Sequence, residues 1–519
     1  MTADSDPGLA ARSSAFIGSV NLVAQVGDKL LSFGQIIVIA AVFGSTTRAD
    51  TFFPASIVPL TIGFVVGEPI GRAYTTLLVA ETDRAAAARL AAGAVALTAS
   101  ALLAVTVLYD FAAVVTVTLA TPAGSGDVWP WLAFSAIGPA MGLAGLFSGI
   151  LIWQHSYVAA AVRVPLASLV GLVLLGLVLS SSHGLVWVGL ALAGGYAASA
   201  VVLFLRVSAT LGRRWALAVT HEGLRAAFEA RRLLAGPSVG GAIGGQVIVT
   251  IERVLAGTLG AGAVASISYA RGLATAPTVF AQAIGASSYP RLVRASADGD
   301  TDHQRESFVR GLRLSLLLGA AFVAFLVLFG PDTVFAVFKR GKFQSNTADD
   351  VGGALVWFSA STLTGSLIVY LVSVIYGLGR FAAILRLELA IFATYVVAAP
   401  IGLVLFGLDG LAAAFGIAQA AGVVAALSIC ARAVGMSARE VVREAGLQVL
   451  PLAIAAVALL AVYRLAIDNA RIPNGLVGDV RVGGAAVCLA VGCTAILLAS
   501  SLPEAAQLRR FLFRPRRAR

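Results

Sequence analysis

Residues Ala15–Gly44 read AFIGSVNLVAQVGDKLLSFGQIIVIAAVFG, an apolar run long enough to cross a bilayer that also contains charged residues. Steps of four, three, four and three separate its polar side chains Asn21, Gln25, Asp28, Ser32 and Gln35. In a helix this spacing places all five on one face. A charge near the bilayer centre costs about 2.5–3.5 kcal/mol, so Asp28 and its neighbour Lys29 need partners or a water-filled cavity. The stretch therefore predicts a polar path inside a membrane protein.

The composition of the whole chain supports this reading. Of 519 residues, 59% are hydrophobic and only 12% are charged, which is far from the composition of a soluble domain. The three cysteines, Cys430, Cys488 and Cys493, have no CxxC spacing and no nearby histidine cluster, so we expect no metal site and no disulfide framework. No residues pair a nucleophile with a base, and no glycine-rich nucleotide loop follows a strand. We therefore predict a protein that is not an enzyme and that needs no cofactor.

Windows of about 20 apolar residues predict an all-α integral membrane protein with about 14 transmembrane helices. The segment from Gly330 to Val351 mixes phenylalanines with lysine and arginine, which favours a short interfacial helix there. The predicted spans are 15–44, 50–80, 90–119, 130–153, 164–180, 185–206, 234–257, 264–288, 310–330, 351–376, 386–406, 410–432, 447–465 and 481–503.

Most of the 37 lysines and arginines fall in loops on one side of these spans. By the positive-inside rule, both termini then lie in the cytoplasm and the chain lies in the cytoplasmic membrane. This asymmetry also explains the net charge of +11, so the charge does not indicate that the protein binds nucleic acid. The predicted parts are an N-lobe at 1–206, an amphipathic cytoplasmic linker at 207–233, a C-lobe at 234–432, a helix pair at 433–503 and a basic tail at 504–519. We expect the tail to lie on anionic lipid head groups.

Four basic residues lie at depth: Lys29, Arg72, Arg253 and Arg271. All four fall on the first two helices of each six-span half. GQIIV at 34–38 recurs as GQVIV at 245–249, which suggests two lobes related by a parallel pseudo-repeat. Leading helices that face each other across a central polar cavity are an arrangement used by secondary transporters. We therefore expect such a cavity, with Gln35 and Gln246 beside the basic residues.

Three short motifs resemble the MviN/MurJ-like lipid II flippase family of the multidrug/oligosaccharidyl-lipid/polysaccharide exporter superfamily. Over roughly residues 15–435, the chain is similar to that family in pattern. The matching residues are Phe43-Gly44 with Ala49-Asp50-Thr51-Phe52-Phe53 and Pro59, then Tyr269-Ala270 with Leu273, Pro277 and Pro290-Arg291-Leu292, and finally Phe338-Lys339-Arg340-Gly341-Lys342-Phe343. The resemblance implies a flippase that carries a polyprenyl-diphosphate-linked envelope precursor, with lipid II or a related lipid-linked oligosaccharide as its partner.

The resemblance also implies roles for single residues. Lys29 matches a basic position of the first helix, Asp50 and Glu68 match acidic positions, and Arg271 lies one residue before the family's arginine. The chain departs from the pattern at three positions where the family has basic residues: Gln35, Gly63 and Gly272. The cationic cluster that holds the diphosphate is thus thinned, and substrate choice is expected to diverge at the first helix.

Each charged candidate has a second interpretation. Arg72 either binds substrate, neutralises Glu68 four residues earlier, or snorkels to the inner surface. Lys29 and Arg271 either bind substrate or form inter-helix ion pairs with Asp28, Asp50 or Glu252. Asp50 is a helix cap or a gate contact, and the remaining acids, Asp28, Glu68 and Glu252, are gate or coupling-ion candidates. The coupling would use Na⁺, H⁺ or the membrane potential.

Two other functions remain open from the sequence. A cation-coupled drug or metabolite antiporter of the same superfamily would depend on Asp28, Asp50 or Glu68 more than on the basic residues. A membrane scaffold without transport would recruit cell-envelope biosynthesis proteins through the basic loops and tail. Efflux of small organic cations would identify the antiporter, and mislocalised partners after deletion would identify the scaffold.

Overall fold

A computed structural model of the chain describes residues 7–44, 46–81, 83–120, 127–179, 184–212, 215–234, 236–338, 343, 345–380, 382–468 and 477–499. Within these ranges every regular element is a helix and no strand occurs. The prediction of an all-α membrane protein is therefore confirmed. The predicted basic tail at 504–519 lies outside the described residues.

The helices pack into two compact units, Met1–Val254 and Leu255–Arg519. In the first unit, α2 packs along α5, α5 and α7 pack on α8, and α1 packs on α7. Its helices are α1 (Pro7–Phe43), α2 (Thr47–Ala80), α3 (Arg84–Ala120), α4 (Trp129–Ser135), α5 (Ile137–Trp153), α6 (Tyr157–Ala161), α7 (Arg163–Leu179), α8 (Leu185–Leu211), α9 (His221–Leu234) and α10 (Gly236–Gly257), the last as far as Val254.

In the second unit, α14 lies at the centre and packs against α11, α12, α13 and α15. The C-terminal pair α17 and α18 packs on α13. The helices are α11 (Ala263–Thr275), α12 (Thr278–Ala297), α13 (Thr301–Phe338), α14 (Ser345–Gly377), α15 (Ala382–Ala433), α16 (Ala438–Val441), a π-turn (Val442–Gly446), α17 (Leu447–Asp468) and α18 (Val477–Ala499).

Each of the fourteen predicted spans coincides with a helical stretch, but four spans differ in detail. The fourth is divided at Ala136 into α4 and α5, and the eighth is divided at Ala276 and Pro277 into α11 and α12. The eleventh and twelfth form one continuous element, α15, in which Gly407 adopts non-helical angles of φ 58° and ψ −128°. Only glycine adopts such a conformation readily, so this residue makes the predicted break between the two spans.

The prediction of a short amphipathic interfacial segment between Gly330 and Val351 is wrong for the described residues. Helix α13 continues through Pro331 to Phe338, and α14 begins at Ser345. The phenylalanines of this segment face the protein rather than the membrane surface, because Phe338 and Phe343 are buried and both contact the Tyr269 ring. Residues 339–342 of the sequence motif lie outside the described residues.

Among the described residues, eight helical stretches are long and apolar enough to cross a membrane by length and composition. Helix α15 counts once in that number, although it contains two predicted spans. Helices α2, α10 and the α11–α12 pair are not among the eight, although with α1 they carry the charged and polar residues that predicted a substrate path. The eight stretches are Val23–Phe43, Arg84–Val115, Trp129–Trp153, Leu185–Leu211, Thr301–Phe338, Thr347–Gly377, Ala382–Ala433 and Ala438–Asp468.

Small residues allow a close crossing of α2 and α5 in the first unit. A Cβ added at Gly149 of α5 would lie 2.5 Å from the carbonyl oxygen of Gly71 on α2. The Thr75 hydroxyl donates to both glycine carbonyls, at 2.8 Å to Gly71 and 3.1 Å to Gly149. Helices inside a bilayer have no hydrophobic driving force for association, so close contacts between small residues hold them together instead.

The amphipathic linker helix is present as α9. Its Ala227 is buried, and the carbonyl oxygen of Ala227 accepts a 2.9 Å hydrogen bond from the Tyr74 hydroxyl. Leu224 and Phe228 are exposed, with Phe228 at 55%. The helix therefore packs one small-residue face against α2 and α3 and presents larger apolar side chains outwards.

A network of four charges joins the C-terminal helix pair to α13 within the second unit. Asp332 of α13 accepts hydrogen bonds from Arg464 of α17 and Arg481 of α18. Asp468 accepts from the same two arginines, at 3.1 Å and 2.7 Å. Asp332, Arg464 and Arg481 are partly buried and Asp468 is exposed, so solvent screens the bonds to Asp332 less than those to Asp468, and Asp332 holds the pair in a defined place on α13.

Candidate functional site

Three members of the polar face of α1 hydrogen-bond to α7 within the first unit. The Ser168 hydroxyl donates to the Asp28 carboxylate at 2.6 Å, and the Ser32 hydroxyl lies 3.3 Å from the same oxygen. The Gln35 amide donates to the Ser168 carbonyl oxygen at 2.8 Å. Asp28, Ser32 and Gln35 therefore have hydrogen-bond partners within the first unit, and Gln35 is held by the backbone of α7.

Lys29 lies on a different side of α1. Consecutive helical residues point about 100 degrees apart, and Lys29 is exposed while Asp28 is half-buried. Gln25 is also exposed, and the Asn21 side chain lies outside the described residues. The structure thus separates the acid of this helix, which binds α7, from its cation, which does not share that contact.

Arg253 is anchored to α2. Its guanidinium donates to the Phe53 carbonyl oxygen at 2.5 Å and lies 5.5 Å from the centre of the Phe53 ring. Two turns earlier on α10, the Gln246 side-chain oxygen lies 3.2 Å from the Thr61 hydroxyl. Arg253 and Gln246 therefore face the same helix of the first unit, and the phenylalanine fixes the position of the arginine.

The acidic candidates are dispersed. Asp50 lies half-buried in the first turn of α2, where a carboxylate interacts favourably with the helix dipole. Glu252 is buried, at 1% exposed, beside Arg253 on α10. Glu68 and Arg72 lie on α2, but their side chains are outside the described residues.

Arg271 has an aromatic surrounding in the second unit. Its guanidinium carbon lies 3.8 Å from the centre of the Phe415 ring and 5.4 Å from that of Phe358. Phe358 belongs to α14 and Phe415 to the second half of α15, and the two rings meet edge to face with centres 6.0 Å apart. A desolvated guanidinium over an aromatic face gains about 2 kcal/mol, so this arrangement stabilises a cation inside the apolar unit.

Arg253 in the first unit and Arg271 in the second thus each lie against phenylalanine. An arginine fixed in this way can bind a phosphate through two parallel N–H donors, since stacking engages the flat faces of the guanidinium and the donors lie in its plane. Within the ranges that the structure describes, no group of three or more His, Cys, Asp or Glu side chains could hold a metal ion. The chemistry available here is binding of an anion.

Sequence reasoning missed the residues that hold these candidates. Ser168 is a lone hydroxyl in an apolar helix, and Phe53, Phe358 and Phe415 resemble ordinary core residues in the sequence. No spacing rule joins Arg271 to two rings that lie 87 and 144 residues away. The resemblance included Phe53 in its first motif, and this was the only signal for an aromatic partner.

A family model described as "Lipid II flippase MurJ" matches residues 39–469 of the chain. A curated relative, the lipid II flippase MurJ of Burkholderia cenocepacia, is 32% identical over 114 residues. That alignment covers 22% of the chain and 22% of the relative.

Solved structures show the same fold. A structure titled "Lipid II flippase MurJ, inward closed conformation" matches with a TM-score of 0.71 at 14% identity, covering 92% of this chain and 98% of the other. An inward-facing multidrug resistance MATE family transporter of the MOP superfamily gives a TM-score of 0.62 at 14% identity, covering 80% and 98%. A Vibrio cholerae MATE transporter gives 0.60 at 15% identity, covering 81% and 98%.

Proposed function

Because the chain belongs to the family of the lipid II flippase MurJ, we propose that it moves a polyprenyl-diphosphate-linked envelope precursor across the membrane by alternating access. The cargo is lipid II or a related lipid-linked glycan, carried from the inner to the outer leaflet. The observation that carries this proposal is the family match over residues 39–469, which includes residues of both units.

The charge of the cargo explains the need for arginines at depth. A diphosphate and its glycan must cross about 30 Å of hydrocarbon, in which an unpaired charge is prohibitively costly. Cations that bind the diphosphate without trapping it lower this barrier. Arg253 and Arg271 are the cations whose positions the structure describes best, and both are supported by phenylalanine.

The remaining candidates supplement these two. We assign Lys29 and Arg72 to attraction of the diphosphate, and Gln35 and Gln246 to hydrogen bonding with polar parts of the cargo. Asp50, Glu68 and Glu252 are proposed gate or coupling residues. Asp28, with the hydroxyls of Ser168 and Ser32 beside its carboxylate, is the strongest candidate for binding a coupling Na⁺ or H⁺, and the membrane potential is the alternative source of energy.

The proposal also includes the membrane in which the chain lies and the lipids that it contacts. The chain is a multi-pass membrane protein, and the distribution of lysine and arginine supports the cytoplasmic membrane with both termini inside. The basic residues of the C-terminal tail favour contact with anionic lipids.

Native mass spectrometry of the purified protein tests the identity of the cargo. We expect a polyprenyl-diphosphate sugar to remain bound to the wild-type chain and its occupancy to fall in the Arg253→Ala and Arg271→Ala variants. Asp298→Asn, an exposed change between α12 and α13, serves as the matched control. Occupancy that is equal in all four proteins would contradict the assignment of the site.

A second candidate is a cation-coupled antiporter, which the likeness to MATE transporters favours. Proteoliposomes with an imposed Na⁺ or proton gradient separate the two functions. A flippase moves the lipid-linked sugar and leaves small organic cations inside the vesicle, whereas an antiporter expels the organic cations. Efflux of the cations without lipid movement would replace the flippase proposal.

A further inference from the structure

Gln419 is a polar side chain inside the second unit that the functions above leave unused. It lies in the apolar sequence LAAAFGIAQAAG of α15, within the candidate span Ala382–Ala433. Large apolar side chains are exposed near it, Ile417 at 57% and Val424 at 69%, and they lie about 140–160° away around the helix. Gln419 therefore faces the other helices of its unit and not the apolar outer side of α15.

Helix α14 contacts this side chain. The Thr364 hydroxyl lies 3.4 Å from the Oε1 atom of Gln419 and 3.0 Å from the Ala360 carbonyl oxygen. A Cβ added at Gly365 would lie 2.9 Å from the same Oε1 atom, so this glycine leaves the space in which the amide approaches α14. Gln419 is partly accessible, and among the described residues its amide has no other hydrogen-bond partner. One end of the amide is therefore available to a ligand.

The amide lies next to the Arg271 site. Phe415, whose ring contacts the Arg271 guanidinium, precedes Gln419 by four residues on α15. Four residues make about one turn, or about 6 Å along the helix, and place both side chains on the same face. Thr278 of α12 reaches the same level, because its methyl carbon lies 3.7 Å from the Cβ position of Gly365. Three helices thus surround an arginine and, about one turn away, a group of neutral polar side chains.

The first unit combines the same residue types. Arg253 lies beside Phe53, and Gln246, seven residues earlier on α10, has its side-chain oxygen 3.2 Å from the Thr61 hydroxyl. In both units, an arginine against phenylalanine is accompanied by a glutamine that contacts a threonine. This combination fits a ligand that has a charged part and an uncharged polar part.

The two groups of the second unit bind different chemistry. The guanidinium is a charged donor, which suits a phosphate. The amide is neutral and both donates and accepts, so either of its ends pairs with a hydroxyl, which also does both. In a lipid-linked glycan, the first sugar is bonded directly to the diphosphate, so its hydroxyls lie close to the phosphate oxygens. The first sugar is therefore the part of the cargo that reaches the amide when the arginine binds the diphosphate.

We propose that Gln419 is a sugar-binding residue of the second unit, which hydrogen-bonds a hydroxyl of the first sugar while Arg271 binds the diphosphate. Thr364 and Gly365 are positioning residues, because the threonine orients the amide and the glycine leaves space for it. This assignment rests on the proposed function, because it names the part of the cargo that the second unit recognises.

Native mass spectrometry of the full purified chain, titrated with two synthetic lipids, tests the assignment. One lipid is a bare polyprenyl diphosphate, and the other carries a disaccharide on the same diphosphate. Gln419→Leu is expected to weaken binding of the disaccharide lipid by about three- to tenfold, the effect of one neutral hydrogen bond, and to leave binding of the bare lipid unchanged. Arg271→Ala should weaken binding of both lipids.

Gly365→Ala is a second variant that keeps the test decisive if Gln419→Leu folds poorly. Its methyl group displaces the amide without removing it, so binding of the disaccharide lipid alone should weaken. Ile417→Val, on the exposed side of the same helix, is the matched control and should leave both affinities unchanged.

Two kinds of result would overturn the assignment. If Gln419→Leu and Gly365→Ala weaken binding of both lipids equally, or of neither, Gln419 does not contact the sugar, although the flippase proposal stands. If the wild type binds neither lipid, the flippase proposal fails and the assignment fails with it.

Discussion

Arg253 in the first unit and Arg271 in the second both lie beside phenylalanine, but they are anchored differently. Arg253 donates to a backbone carbonyl of α2 and lies 5.5 Å from one ring. Arg271 lies 3.8 Å and 5.4 Å from two rings that belong to α14 and α15. The Arg253 guanidinium donates a hydrogen bond to a backbone carbonyl, whereas the Arg271 guanidinium is positioned by the two aromatic rings beside it.

This difference ranks the two residues as anion binders. A donor that is bonded to a carbonyl must give up that bond before it serves a phosphate. Two rings hold the Arg271 guanidinium in place, whereas one ring holds that of Arg253. We therefore expect Arg271 to contribute more to cargo binding than Arg253. The same reasoning separates Asp28, which is bonded within its unit, from the exposed Lys29.

The largest effect is expected for Arg271→Ala. Loss of a charge-assisted hydrogen bond costs about 1.5–3 kcal/mol, which corresponds to about a 100-fold loss of flipping rate in proteoliposomes. Arg271→Lys keeps the charge but loses the flat stacking surface, and it should recover only part of the rate. Full recovery by lysine would show that the aromatic anchoring is irrelevant.

Asp28→Leu should destabilise the first unit more than it slows transport. The change removes the carboxylate that accepts from Ser168 and Ser32 and leaves the 3.1 Å contact between the two hydroxyls, at a cost of about 1–3 kcal/mol. Thermal unfolding in detergent measures the loss, and Gln25→Leu on the exposed side of α1 is the control. Equal melting temperatures in the two variants would contradict the role given to this contact.

Arg253→Ala should reduce flipping by about tenfold, less than Arg271→Ala, because part of its hydrogen bonding serves Phe53. The comparison uses the same vesicles and the same labelled cargo as for Arg271. A loss as large as that of Arg271→Ala would contradict the prediction that Arg271 contributes more to cargo binding than Arg253.

Lys29→Gln is expected to have the smallest effect, about a threefold loss of rate with unchanged unfolding temperature, because an exposed charge is screened by solvent. Raising the salt concentration should shrink the difference between Lys29→Gln and wild type. A salt-independent difference would place Lys29 in a desolvated contact with the cargo.

The sequence predicted the helices well because their signal is local. Apolar length fixed the spans, Gly407 lies in the predicted gap between 406 and 410, and the resemblance to the flippase family is confirmed by the match over residues 39–469. The break in the fourth span also has a local cause, because Pro139 has no N–H to donate to the Ser135 carbonyl oxygen.

The partners of the polar residues could not be predicted in the same way. The spacing of Asp28, Ser32 and Gln35 identified one face of α1, but nothing in the sequence indicated that Ser168 of α7 would cover it. Contacts of this kind depend on how distant helices pack, which a single sequence does not specify.

The most direct test of the central claim measures movement of a fluorescent polyprenyl-diphosphate disaccharide in proteoliposomes with the wild type and the Arg253→Ala/Arg271→Ala double variant. Chemical quenching from outside reports which leaflet holds the label. The account predicts rapid movement by the wild type and a background rate for the double variant at equal reconstituted amounts. A double variant that flips the lipid at the wild-type rate would contradict it.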